Sequence, residues 1–318
     1  IYIGHPMEAY ERENDAFWME LVPRGRTTPE SIQLAIDHLK KIGRTGRIGI
    51  ERAFLPAEAE AQLRAALPAA EFVEAKFPLE RLRARKTKEE LGYLRKASEL
   101  VVDSMLAVMS KHGPGSTKRE LVEALRREEV NRGLNFDYCL ITCGTSLNRA
   151  PTDQVWGKGD ILSLDSGGNY RGYIGDLCRM AIQGEPDQEL KDLLAEVDEI
   201  QLTSRKPIRP GVKGSEIYAA VDGLVSRSRH GNSLEFVAHG MGLISHEAPR
   251  LTSKGPVPYP DYDAGLPLEE GMVISIETTI LHPKRGFVKI EDTVAVTADG
   301  WEAYGDTGRG WNRGGSAA

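Results

Sequence analysis

Four carboxylates stand where apolar strand residues would be expected. Asp165 lies in SLDSGG, Asp176 in YIGDLCRM, Glu277 in ISIETTI and Glu291 in VKIEDTV. Burying a carboxylate in a strand costs several kcal/mol unless it is paired or bound to a metal. Arg179 and Lys289 are close enough in sequence to pair with some of them, and Asp165 and Asp176 could instead cap turns. A further candidate is His239 in EFVAHGMGLISHEAPR, followed seven residues later by His246. Gly240 and Gly242 between them let the backbone approach a bulky or charged group, because glycine has no Cβ. A lone histidine is more often structural than a ligand. Four strand carboxylates and an imidazole, however, share a need for positive charge. Hard oxygens with one nitrogen match two divalent cations, drawn from Mn²⁺, Fe²⁺, Co²⁺ and Zn²⁺. Carboxylates that bridge two metals about 3.5–4 Å apart set up a pair that activates water and polarises a carbonyl.

The elements that must position these residues are readable from periodicity. Residues 1–80 alternate short strands with helical stretches. A helix is expected over Ser31–Ile42, a strand over Arg47–Ile50, an Ala-rich helix over Pro56–Leu67 and a strand from Glu71. The basic run Pro78–Lys88 reads as a solvated linker. Thr87 with Glu90 and Thr117 with Glu120 are capping boxes that open two helices. Strands are expected over Tyr138–Cys143, Ile161–Asp165 and Tyr173–Met180, separated by a polar loop over Gly144–Trp156. Two helices follow, then the two-histidine stretch, a Pro-rich loop over Pro249–Pro267, and strands over Met272–Leu281 and Val288–Thr297. The Gly- and Arg-rich tail after Gly305 is expected to fray.

Composition narrows the function classes. The 318 residues are 40% apolar and 28% charged, and the net charge of −6 argues against a general nucleic-acid binder. No apolar run is long enough for a membrane span. The first residues lack both an initiator Met and the basic and apolar regions of a signal peptide, so the chain is expected to begin partway through a longer product. Cys139, Cys143 and Cys178 fit reduced cytoplasmic thiols better than a disulfide framework.

The order Asp165, Asp176, His239, Glu277, Glu291 resembles that of the pita-bread fold metallopeptidases, which include methionine aminopeptidase, Xaa-Pro aminopeptidase and Xaa-Pro dipeptidase, and share their fold with creatinase. The matching contexts are SLDSGG, GYxGDxCR, HGMGLxxHEAP and VxIEDTVxVT, and the resemblance covers roughly residues 80–305. RIGIE followed by FPLERLRARKTKEEL also resembles the creatinase-type N-terminal domain and the entry to the catalytic domain. That favours the Xaa-Pro and creatinase branch.

The resemblance implies an α+β architecture: a smaller creatinase-type α/β domain over 1–80, expected to be incomplete, and a pita-bread catalytic domain over 81–318. It implies a dinuclear-metal hydrolase in which Asp165 binds one ion, Asp176 and Glu291 bridge the two, and His239 and Glu277 complete the second site. Mn²⁺ is the expected ion, with Co²⁺, Zn²⁺ or Fe²⁺ as alternatives. A metal-bridging hydroxide would attack the scissile carbonyl, with Glu277 as proton shuttle. His246 would face substrate, and its titration near physiological pH suits that role. A cytoplasmic homodimer is implied, acting on a short peptide or small molecule, with no nucleic-acid or membrane partner.

Two departures bear on the substrate. SLNRAPTD puts Asn148 where the peptidases usually carry a histidine, with Arg149 beside it, and Lys289 stands where proline-specific members often have arginine. Asn148 and Lys289 are therefore expected substrate-binding positions alongside His246. The expected activity is removal of an N-terminal residue from a short peptide, or splitting of an Xaa-Pro dipeptide. The alternative is a same-fold hydrolase or lyase acting on a small non-peptide amide or amidine. A non-catalytic binding module of the same fold would have been favoured by loss of a ligand, and none is lost.

Overall fold

The computed structural model describes residues 1–8, 24–253 and 260–315. The chain divides into two compact units, Ile1–Glu80 and Arg81–Ala318. In the first, α1 (Thr28–Lys41) is capped by the Thr27 side chain. Strands β1 (Arg47–Ile50) and β2 (Glu71–Glu74) pair in parallel, with α2 (Ala57–Ala66) as the crossover between them. Ile36, Leu63 and Leu67 form its small core. Parts of two expected segments, residues 9–23 and 254–259, lie outside the described residues.

The second unit is entered through α3 (Lys76–Ala84). The expected capping boxes are present: Thr87 opens α4 (Lys88–Lys111) and Thr117 opens α5 (Lys118–Asn131), each with reciprocal Glu contacts. Strands β3 (Asn135–Cys143), β4 (Ile161–Tyr170) and β5 (Tyr173–Ile182) form an antiparallel run. Helices α6 (Gln188–Arg205) and α7 (Glu216–Arg227) intervene before β6 (Leu234–Gly240), β7 (Val273–His282) and β8 (Gly286–Val296). The sheet order is β3-β4-β5-β8-β7-β6. The late β8 thus lies beside β5, which joins the two halves at Cys178 and Glu291. Apolar residues of α4 and α5 pack with β3–β5, and those of α6 with β5, β7 and β8.

On the helix-covered face one acidic residue gathers long-range charges. Asp292 is fully buried, with Arg179 Nη2 at 3.1 Å, Arg205 Nη2 at 2.7 Å and Arg309 Nη1 at 2.7 Å. Burial alone would raise its pKa, but the three guanidinium groups outweigh it and hold the carboxyl well below the usual range.

Two sequence expectations are corrected. The tail after Gly305 is not frayed over the described residues: Asn312–Arg313 pairs with β5, Trp311 Nε1 donates to Leu190 O at 3.1 Å, and Arg309 is fixed by Asp292, Asp198 and Asp306. The basic run 78–88 is not simply a solvated linker. Arg83 Nε meets Glu247 Oε2 at 2.8 Å and Lys86 Nζ meets Glu247 Oε1 at 3.1 Å, with Glu247 fully buried. A buried carboxylate requires such counter-charges, and composition alone does not reveal it.

Two measurements follow from these buried charges. Asp292→Ala leaves three guanidinium groups without their shared partner, and urea denaturation is expected to show a loss of about 3–5 kcal/mol. Glu129, buried on α5, accepts from Ser166 Oγ at 2.9 Å, while its Oε2 has no hydrogen-bond partner among the described residues. Burial pushes its pKa up to about 8. Between the unfolded value, about 4.5, and this one, the folded chain holds a proton that the unfolded chain has lost, so stability falls as pH rises through that window. Glu129→Gln is expected to remove this fall, about 1–3 kcal/mol between pH 5 and pH 8 in melting or denaturation curves.

Candidate metal centre

Strand register brings the expected residues to one face. Asp165 on β4 pairs with Cys178 on β5, Cys178 with Glu291 on β8, and Glu291 with Glu277 on β7. Directly paired residues share a face, and so do residues two apart on one strand. Asp176 and Lys289 therefore join this row, as does Ser275. Ser275 in turn pairs with His239 on β6. The face opposite the helices thus carries four carboxylates, an imidazole and an ammonium, at a cleft of about 310 Å³ lined in part by Asp165, Asp176, His246, Glu277, Lys289 and Glu291.

Within this row the ligand atoms of Asp176, His239 and Glu291 all lie within 4.8 Å of one another, and all three residues are buried. Among the described residues His239 Nε2 has no hydrogen-bond partner, with Glu291 Oε1 at 3.8 Å and Glu277 Oε1 at 3.9 Å. Burial pushes Asp176 well above the usual carboxylate range, and the charges of Glu291 and Asp165 push it further. An orphaned imidazole nitrogen facing carboxylates that repel one another is a donor set that fits a divalent ion.

Asp165 and Glu277 have a different partner. Lys289 Nζ lies 2.7 Å from Asp165 Oδ2, 2.6 Å from Glu277 Oε2 and 2.7 Å from Glu291 Oε2. Burial pushes the ammonium's pKa down, but the three carboxylates overcome it and hold it well above its ordinary value. Arg149 also pairs with Asp165 Oδ2, and its guanidinium lies over the Phe287 ring. The pairing of Lys289 with Glu291, open from the sequence, is therefore real, and extends to two more carboxylates.

The remaining candidates fall differently. His246 lines the cleft and stacks on His239 with ring centroids 3.8 Å apart. Burial, with the neighbouring His239 charge, pushes its pKa down to about 3. It is thus a neutral imidazole near physiological pH, not a group titrating there. Asn148 does not line the cleft. Its Oδ1 accepts from Ala150 N at 2.9 Å and its carbonyl accepts from Lys118 Nζ at 2.6 Å, which fixes the loop and turns Arg149 inward.

Tyr138 was not visible from sequence. Its hydroxyl donates to Asp176 Oδ1. On β3 it pairs with Gly167, whose partner on β5 is Asp176. A Cβ at Gly167 would lie 2.4 Å from the Tyr138 ring, so glycine there lets the ring cross β4 and reach Asp176. Gly240 likewise admits Pro249, whose backbone N would lie 2.2 Å from an added Cβ.

The model of metallopeptidase family M24 matches residues 92–298. The chain belongs to metallopeptidase family M24. Among its relatives, the uncharacterized peptidase YqhT of Bacillus subtilis is 28% identical over 85% of this chain and 75% of its own length. The Xaa-Pro dipeptidase of Pyrococcus furiosus is 30% identical over 69% of this chain, an alignment that spans 62% of that enzyme. Among solved structures, the Xaa-Pro dipeptidase from Bacillus anthracis has 25% identity and a TM-score of 0.84 over 98% of this chain and 85% of its own. The X-Pro aminopeptidase from Thermotoga maritima, at 19% identity, has a TM-score of 0.84 over 98% and 86% and shows the shared fold. The architecture is accordingly the pita-bread fold of family M24, and the chain is a metal-dependent exopeptidase.

In this M24 chain Tyr138 orients Asp176 by a hydrogen bond, and it stays protonated because burial and the Asp176 charge raise its pKa. Tyr138→Phe is expected to weaken divalent-ion binding about 10–100-fold while leaving the circular dichroism spectrum unchanged. Titration calorimetry with Mn²⁺ reads the difference.

Proposed function

We propose that the chain is an exopeptidase of the Xaa-Pro type, removing the N-terminal residue of a short peptide or splitting an Xaa-Pro dipeptide. The observation that carries this reading is the convergence of Asp165, Asp176, His239, Glu277 and Glu291 on one sheet face, with His246 beside them at an open cleft. The Xaa-Pro dipeptidase relatives in two organisms support the substrate class.

A divalent ion held by Asp176, His239 and Glu291 would supply a Lewis acid that polarises the scissile carbonyl and lowers the pKa of water. Mn²⁺ is the first choice for these ligands, with Co²⁺, Zn²⁺ or Fe²⁺ as alternatives. The chain's own groups do the rest. Glu277 borders the cleft and would take a proton from the attacking water and hand it to the leaving amine. Its second partner, Lys289, keeps that carboxylate oriented. His246, neutral, would donate its N–H to the substrate carbonyl as negative charge develops there. Lys289 contributes to substrate binding through the positive field it sets beneath the cleft, rather than by bidentate contact.

The reading takes 1–80 as a creatinase-type N-terminal domain and 81–318 as the catalytic domain. It includes a homodimer in the cytoplasm, supported by the family resemblance and by three buried, unpaired cysteines. Among the described residues no helix is long and apolar enough to cross a membrane.

The test is turnover of an Xaa-Pro dipeptide, an Xaa-Pro tripeptide, a Met-initiated tripeptide and a set of small amides by Mn²⁺-loaded protein, with a chelated control. Chelator-sensitive cleavage of the Xaa-Pro bond is expected, and the dipeptide-to-tripeptide ratio names the subclass. Cleavage confined to the small amides would replace the peptidase reading with the non-peptide one.

A further inference from the structure

The two-ion arrangement expected from sequence needs Asp165 and Glu277 free to bind. The distances around Lys289 give those oxygens to an ammonium instead. We infer that the centre takes one divalent ion per chain, in the Asp176–His239–Glu291 group, and that the Lys289 ammonium stands as a fixed cation in place of a second ion.

Three observations carry this. First, Lys289 Nζ lies 2.6–2.7 Å from oxygens of Asp165, Glu277 and Glu291, and donates to Asp165 Oδ2. An ion bound by the same oxygens would have to displace a buried ammonium, 3% exposed, from three carboxylates at once. Asp165 Oδ2 is further engaged by Arg149. Second, Glu291 is divided. Its Oε2 faces Lys289, while Oε1 faces His239 and accepts from Ser275 Oγ at 2.8 Å. One carboxylate thus bridges an ammonium and the ion group, much as it would bridge two ions. Third, the charge balances. With His239 neutral, as an imidazole that binds an ion must be, Asp165, Asp176, Glu277 and Glu291 face two fixed cations, Lys289 and Arg149, and the two remaining negative charges are those one divalent ion cancels. A second ion would leave a buried surplus of positive charge, which a low-dielectric site disfavours.

This deepens the proposed function and rests on its assignment of Asp176, His239 and Glu291 as ligands. The functional consequence is an electrostatic division of labour. The ion position handles the water and the carbonyl, while Lys289 provides positive charge that does not depend on metal supply. Metal dependence of activity would then follow single-site saturation.

The test counts ions rather than turnover. Wild-type protein is dialysed to equilibrium against excess Mn²⁺, its bound Mn is measured by mass spectrometry, and the bound fraction is examined by low-temperature electron paramagnetic resonance. One Mn per chain with the six-line signal of an isolated ion is expected. Lys289→Met, checked for folding by its melting curve, is expected to rise to two Mn per chain with an exchange-coupled signal. Two ions or a coupled signal in the wild type overturns the inference while leaving the peptidase reading intact. So does a folded Lys289→Met that still holds one. No retained Mn overturns both the inference and the ligand assignment. If Lys289→Met does not fold, the wild-type stoichiometry and spectrum decide alone.

Discussion

The constraint on which the second unit depends is the burial of like charge on one sheet face. Asp165, Asp176 and Glu291 are each about 2% exposed. Two carboxylates about 4 Å apart repel by roughly 4 kcal/mol even at an effective dielectric near 20. No sheet would hold this row without cations built into it or bound to it. Lys289 and Arg149 serve one side of the row, and the donor group of Asp176, His239 and Glu291 defines the other. Glu291 touches both sides, and burial, which would raise its pKa, is outweighed by Lys289 and His239.

The opposite face is tied to this row through the backbone. Adjacent residues on β8 point to opposite faces, so Glu291 enters the centre and Asp292 enters the arginine cluster. Arg179 Nη1 donates to the carbonyls of Glu291 and Cys178 at 2.7 and 2.8 Å. Gln201 on α6 donates to Ile276 O at 2.8 Å and to Asp292 Oδ2 at 2.7 Å. The strand segments that carry the buried carboxylate row are thus fixed from behind by helix α6 and by the tail around Arg309. A functional face held within about half an ångström requires this kind of backing.

What was legible in the sequence follows the same logic. Carboxylates interrupting apolar strands at Asp165, Asp176, Glu277 and Glu291 are conspicuous because alternation makes a polar residue at a buried strand position expensive. The capping boxes at Thr87 and Thr117 are local and were equally readable. Strand adjacency is not local: β5 meets β8 across more than a hundred residues of chain, so the row itself could not be seen. Lys289 illustrates the boundary between the two. Its spacing of two from Glu291 put it on the same face, but that its ammonium would reach Asp165 depended on β5 lying between β4 and β8. Tyr138 depended on a register between β3 and β4 and on Gly167 beneath its ring. The Asn148 side chain accepts from Ala150 N within its own loop, and Arg149 beside it lines the cleft, a difference that only the folded loop reveals.

The basic run before α4 shows how the histidine stretch acquires its shape. Lys86 is held 3.1 Å from Glu247, the residue after His246, and Arg83 meets the other oxygen of the same carboxylate. Glu247 N donates to Gly240 O at 2.9 Å, and Gly240 N donates to Pro249 O at 2.9 Å. The segment therefore folds back on the end of β6, bringing His246 over His239. Arg81 pairs with Asp263, whose Oδ2 accepts from Arg250 N at 2.8 Å, which extends the same clamp to the far end of the segment. A short irregular stretch has no ladder to fix it. Buried charge pairs with several hydrogen bonds supply the geometric specificity that regular structure supplies elsewhere, at the risk that losing one partner leaves the other buried and unpaired. The position of His246 over the centre is thus set largely by residues more than a hundred and fifty positions earlier in the chain.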